Sequence, residues 1–179
     1  MGKRLDAQTV QACAIMLAGS VLLAGCSGFF LTPQEKRADA QLVSTLGNQA
    51  RGTVTFVERS DGVQVSYNLA GLPPDSDHAL EIHERADCNA ADGSSAGSVF
   101  APAAQQLKPG ERVEGELGNI HADSNGVATG FMVEPDLSLD GVRSVLQRSV
   151  LVYRDALDPY AWPARGVGPA ISCGVIRPQ

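Results

Sequence analysis

The sequence predicts an all-β protein, an antiparallel sandwich or flattened barrel of about eight short strands. Three observations carry that prediction. Short runs of β-branched or alternating apolar and polar residues recur from Gly52 to Ile176. Turn signals such as Ser60-Asp61-Gly62 and Asp123-Ser-Asn-Gly126 separate them. Aromatic residues make up only 5% of the chain while Gly numbers 19, which suits a turn-rich β protein better than a helical bundle.

Taken in order, the chain opens on a leader. Lys3 and Arg4 precede a mostly apolar run, Val10–Gly25, too short to span a bilayer and right for a secretory signal. It ends Leu23-Ala-Gly-Cys26, small residues before a cysteine, which resembles a bacterial lipobox. That resemblance implies lipid on the Cys26 thiol, cleavage before it and anchoring by acyl chains; the alternative is an ordinary signal peptide with an accidental cysteine. Ser27, rather than Asp, follows the cysteine, which by analogy with bacterial lipoproteins points to the periplasmic face of the outer membrane. The expected organisation is therefore signal peptide 1–25, lipidated cysteine and tether 26–48, and domain 49–179. Leu42–Leu46 reads as one weak helical turn within the tether.

In the domain, Gly52–Glu58 and Val63–Leu69 flank the Ser60-Asp-Gly turn as a hairpin. Gly71-Leu-Pro-Pro74 ends it, and a strand through Glu81 and His83 follows. From Asp87 to about Gly110 the chain reads as a long loop, which in a compact domain is functional or tied down. Arg112–Leu117 alternates, Val127–Glu134 follows the second turn, and Leu137–Leu146 is another connection. Ser149–Tyr153 reads as a buried strand, and Ile171–Ile176 as the last.

The formal net charge is −6, and −7 without Lys3, Arg4 and Asp6, a surface that argues against a nucleic-acid partner. Of four cysteines, Cys13 lies in the leader and Cys26 at the processing site. Cys88 and Cys173 remain. In an exported protein a disulfide is their expected use, with two free thiols as the alternative. A bridge across these 85 positions is worth up to about 4.6 kcal/mol in the chain-entropy model.

Glu81 and His83 stand two apart on a strand and so share a face, opposite Leu80, Ile82 and Glu84. A carboxylate beside an imidazole serves as a metal site, an acid/base pair, or simply a polar strand face.

Several short words now align in order: Gly71-Leu-Pro-Pro, Ile82-His-Glu, Asp87-Cys, Ser95-Ala-Gly, Gly115-Glu-Leu-Gly-Asn119, Ala122-Asp with Gly126-Val-Ala, Arg148-Ser-Val-Leu-Val152 and Cys173-Gly-Val-Ile176. Over about residues 50–178 the chain resembles copper/zinc superoxide dismutase. The resemblance implies an eight-stranded antiparallel Greek-key barrel and a Cys88–Cys173 bridge.

The family's metal ligands do not carry over. The first copper histidine falls on Glu81, and the second is kept as His83. The bridging histidine falls on Val99, and Val113 stands where a zinc histidine is expected. The zinc aspartate falls on Glu116, the last copper histidine on Tyr153 and the active-site arginine on Ala170. His78 matches a structural histidine, and His121 matches no ligand. Dismutation needs a redox-cycling copper held mainly by imidazoles and a cation that draws in the superoxide anion. No catalytic residue is therefore assigned, and neither metal is the expected resident. Zinc is disfavoured, whereas copper at a reduced Glu81/His83/Tyr153 site stays open. Arg154 and Arg165 are the cations that remain near the pocket in sequence.

The reading this supports is a lipid-anchored envelope module without catalysis, its loop restrained by apolar substitutes such as Val99, Phe100 and Val113. A copper binder or dismutase with a reduced site is the second reading. A subunit that pairs with an active dismutase is the third; the sequence names no partner and leaves a dimer open.

Overall fold

The computed structural model describes residues 35–102, 112–158, 160 and 167–179. The leader, Cys26, the first part of the tether and Arg165 lie outside the described residues, as does the 103–111 segment of the long loop.

Nine strands are present among the described residues: β1 Arg37–Ser44, β2 Arg51–Arg59, β3 Gly62–Ala70, β4 Ser76–His83, β5 Glu116–Ala122, β6 Val127–Glu134, β7 Ser149–Tyr153, β8 Ala170–Val175 and the two-residue β9 Arg177–Pro178. Neighbours run β5-β4-β7-β8-β1-β2-β3-β6, all antiparallel, with β9 paired to β1. This is the expected eight-stranded, nearly closed Greek-key barrel plus one short strand. Alternation supplies its interior: Val54 and Phe56 of β2, Val63, Val65 and Leu69 of β3, and Val150 and Val152 of β7 are buried together.

The first departure from the sequence expectation is β1. The tether was expected to run to residue 48 with a helical turn at 42–46. Instead Arg37–Ser44 is a full strand whose Ala38, Ala40 and Leu42 face the core. Its first six residues pair with β2, and Val43 and Ser44 pair with β8, so this one strand joins the two halves of the barrel. Alanine prefers strands weakly, and two of the three inward positions are alanine, so pattern alone carried little signal.

The second departure is at Arg112–Leu117, expected as a strand. The strand starts only at Glu116; Glu114 and Gly115 form a turn. Gly115 is held by backbone bonds to two other segments. Ile82 N–H donates to Gly115 O (2.7 Å), Gly115 N–H to Phe100 O (2.8 Å), and Phe100 N–H to Ile82 O (2.8 Å). A Cβ on Gly115 would lie 2.5 Å from Ile82 O, so only glycine fits this ring of three amides.

Candidate functional site

Strand β4 carries the site. Its Leu80 and Ile82 point into the core, while Glu81 and His83 are also buried, at 4% and 5% exposure, under the loop that follows. A bulge between Leu80 and Glu81 sets Glu81 opposite Glu116 of β5, and β7 runs along the other edge. Sheet pairing thus brings three of the four candidate residues alongside one another, and the end of β7 adds Tyr153.

The loop is fixed over them. Cys88 bridges Cys173 with Cα atoms 5.8 Å apart, as expected. Ser149 Oγ donates to Arg85 O (2.6 Å) and accepts from Asp87 N–H (3.1 Å). Glu84 N–H donates to Ser98 O and Arg85 N–H to Ala96 O, both at 2.9 Å. Val99 forms an isolated bridge with His83, and Phe100 is buried beneath the Arg148 guanidinium, 3.5 Å from its ring centre. Val99 is thus held against His83 through its backbone, and Phe100 through its buried ring. Val113 is half-buried and pairs its amide with Glu116.

His83 is the hub. Its Nδ1 lies 2.8 Å from Gly97 O. A carbonyl only accepts, so Nδ1 carries a proton; whenever the ring is neutral, Nε2 keeps a lone pair. The Tyr153 hydroxyl lies 2.9 Å from that nitrogen, and the neutral ring accepts from it. Glu81 Oε2 sits 3.4 Å from the same nitrogen. Tyr153 is half-buried, and burial, with the Glu81 charge second, raises its phenol pKa well above the usual value. Glu116 turns its carboxylate to Val113 N–H at 3.2 Å. Burial foremost, with the nearby Glu81, raises its pKa.

The other histidines serve elsewhere. His78 is buried, with Nδ1 3.0 Å from Tyr153 O and Nε2 2.7 Å from Ser76 Oγ. It positions the backbone of Tyr153, a role that no short motif signals because the contact spans two strands. His121 is exposed and pairs with Asp77 at 2.8 Å. The three imidazoles do not converge. Arg154 does not reach inwards either: it is exposed and pairs with Asp155. Ala170, at the family's arginine position, packs with Ala96, Leu151 and Cys173.

These residues do not fit a copper–zinc pair. Val99 has no lone pair to bridge two ions, and both nitrogens of His83 are engaged within the protein. Among the described residues, no three His, Cys, Asp or Glu side chains group as a metal site.

The family model described as copper/zinc superoxide dismutase matches residues 50–176. Copper-zinc superoxide dismutase 2 of Aquifex aeolicus (strain VF5) is 33% identical over 170 residues, covering 90% of this chain and 96% of the relative. The copper-zinc superoxide dismutase of Caulobacter vibrioides is 35% identical over 136 residues, covering 70% and 78%. A crystal structure described as the clock protein EA4 superposes with a TM-score of 0.69 at 29% identity, over 80% of this chain and 94% of that one. By the reach of the family model and the extent of these relatives, this chain belongs to the copper/zinc superoxide dismutase family.

Proposed function

We propose that this protein is a lipid-anchored module of the bacterial envelope whose superoxide dismutase-type domain has given up dismutation for a binding or structural role. One observation carries the reading. At the positions where relatives of this family would be expected to hold copper, a hydrogen-bonded Glu81–His83–Tyr153 cluster is closed within the protein, and Val99 stands in the bridging position. With Ala170 in place of the arginine, and carboxylates at 81 and 116, the local field repels an anion. Anchoring rests on the Leu-Ala-Gly-Cys26 word, and Ser27 after it favours the periplasmic face of the outer membrane over the inner membrane. Its partner is then the membrane, through lipid, together with a protein not named by the sequence; nucleic acid is disfavoured by the acidic surface.

The test is elemental analysis of the native mature protein beside a dismutation assay. Copper and zinc far below one per chain, with no dismutation, support the proposal; near-stoichiometric copper with activity overturns it. Palmitate labelling lost in Cys26→Ala tests the anchor. The second reading, copper at a reduced site, draws on the close approach of Glu81, His83 and Tyr153 donor atoms at 2.9–3.4 Å. An imidazole-ligated copper signal in spin resonance that disappears in Tyr153→Phe would favour it.

A further inference from the structure

We propose that Tyr153 is a one-electron redox site, a phenol arranged to lose an electron to a neutral radical oxidant while its proton passes to His83 and Glu81 supplies the counter-charge. The proposal rests on the metal-free reading of the pocket.

The geometry assigns each residue a part. Gly97 O holds the His83 proton on Nδ1, so Nε2 faces the phenol as a base. The Tyr153 hydroxyl is 2.9 Å from it, within range for a single proton to move without rearrangement. Glu81 Oε2, 3.4 Å from the same Nε2, is placed to pair with the ring once it is protonated. Burial of Tyr153 closes the alternative of a standing phenolate, so electron loss has to be coupled to proton transfer. Tyr153 packs against two apolar clusters, one with Leu151 and Ala170 and one with Leu157 and Val167, which cover part of the side chain. His78 holds the tyrosine backbone in place from the other side.

The step balances. The phenol O–H bond breaks as one electron leaves the ring for the oxidant. A new N–H bond forms at His83 Nε2. The products are a tyrosyl radical, an imidazolium paired with Glu81, and the oxidant reduced to its anion. The oxidant class is a small, neutral nitrogen- or oxygen-centred radical such as nitrogen dioxide. An anionic oxidant would be repelled by the carboxylates at 81 and 116 and by a chain of net charge −6.

The test uses the full mature chain in detergent, stripped with chelator. Its failure is then distinct from failure of the metal-free reading, which native metal content decides. Azide radicals generated by pulse radiolysis serve as the neutral oxidant, and the phenoxyl absorption and a freeze-quenched spin-resonance signal are followed. The chain has three tyrosines and one tryptophan, so the site must be assigned by variants. The stable radical is expected on Tyr153: lost in Tyr153→Phe, retained in Tyr67→Phe and Tyr160→Phe. In His83→Gln its formation slows on the order of 10²-fold, the low end of what a positioned base contributes. The unaltered protein forms the radical more slowly in heavy water, a readout that needs no variant to fold. A signal undiminished in Tyr153→Phe, or equal rates in light and heavy water, overturns the proposal.

Discussion

Two neighbouring regions beside β4 are held in opposite ways. At the root of the long loop, the family's cysteine pair is intact, and Ser149 and the Ile82–Phe100–Gly115 amides hold the backbone. In the pocket beside it stand Glu81, Val99 and Tyr153, the residues that the resemblance sets at ligand positions. The root uses a covalent bridge, backbone bonds and the Ser149 hydroxyl, none of which involves the side chains that fill the pocket. The pocket holds groups whose state depends on protons. The difference teaches that the root of the loop is held by bonds in which the pocket's side chains take no part.

The largest test of that division is the bridge. Replacing Cys88 and Cys173 by serine should cost about 2–5 kcal/mol in denaturant unfolding, the usual range for a native disulfide. A much smaller loss would mean that the amide ring alone carries the root. Next is Gly115→Ala, whose Cβ would meet Ile82 O at 2.5 Å and Phe100 N and O at 2.8 Å. It should cost about 1–3 kcal/mol, as overpacking does, and raise hydrogen exchange at Phe100 before the rest of the barrel. Ser149→Ala removes a buried hydroxyl that satisfies Arg85 O and Asp87 N–H, for about 1–2 kcal/mol in a chemical melt.

The smallest effect belongs to the pocket and has a sign. Burial raises the Glu116 pKa in the folded protein, so between its unfolded and folded pKa values the native state binds more protons than the unfolded one. Stability from this group is therefore full below the ordinary glutamate range and falls as pH rises through the folded pKa. Glu134, half-buried and also raised mainly by burial, acts with the same sign. The paired variant Glu116→Gln/Glu134→Gln should flatten the decline in melting temperature across that window. An unchanged slope would remove Glu116 from the pocket's proton balance.

Much of the barrel was legible in particular residues. The Ser60-Asp61-Gly62 turn announced its hairpin because two runs of alternating residues flank it, and β7 was legible because Ser149–Tyr153 is a short apolar run. β1 was not, since Ala38 and Ala40 are small enough for a tether and become a strand only against Val54 and Phe56. Arg112–Leu117 misled because its alternation was real, while the ring at Gly115 claimed the backbone first. In the site, positions were readable through the resemblance but bonds were not. Gly97 lies 14 residues from His83, and Tyr153 lies 70.

The sequence alone determined which runs alternate and which cysteines were available to pair, and the resemblance named the positions to compare with metal ligands, because these are properties of residue type and order. Only the tertiary structure decided that His83 sets its Nδ1 against Gly97 O and turns its Nε2 to Tyr153, or that β1 joins the two halves of the barrel. Those outcomes depend on which distant backbone groups arrive within hydrogen-bond reach, and no local pattern encodes that.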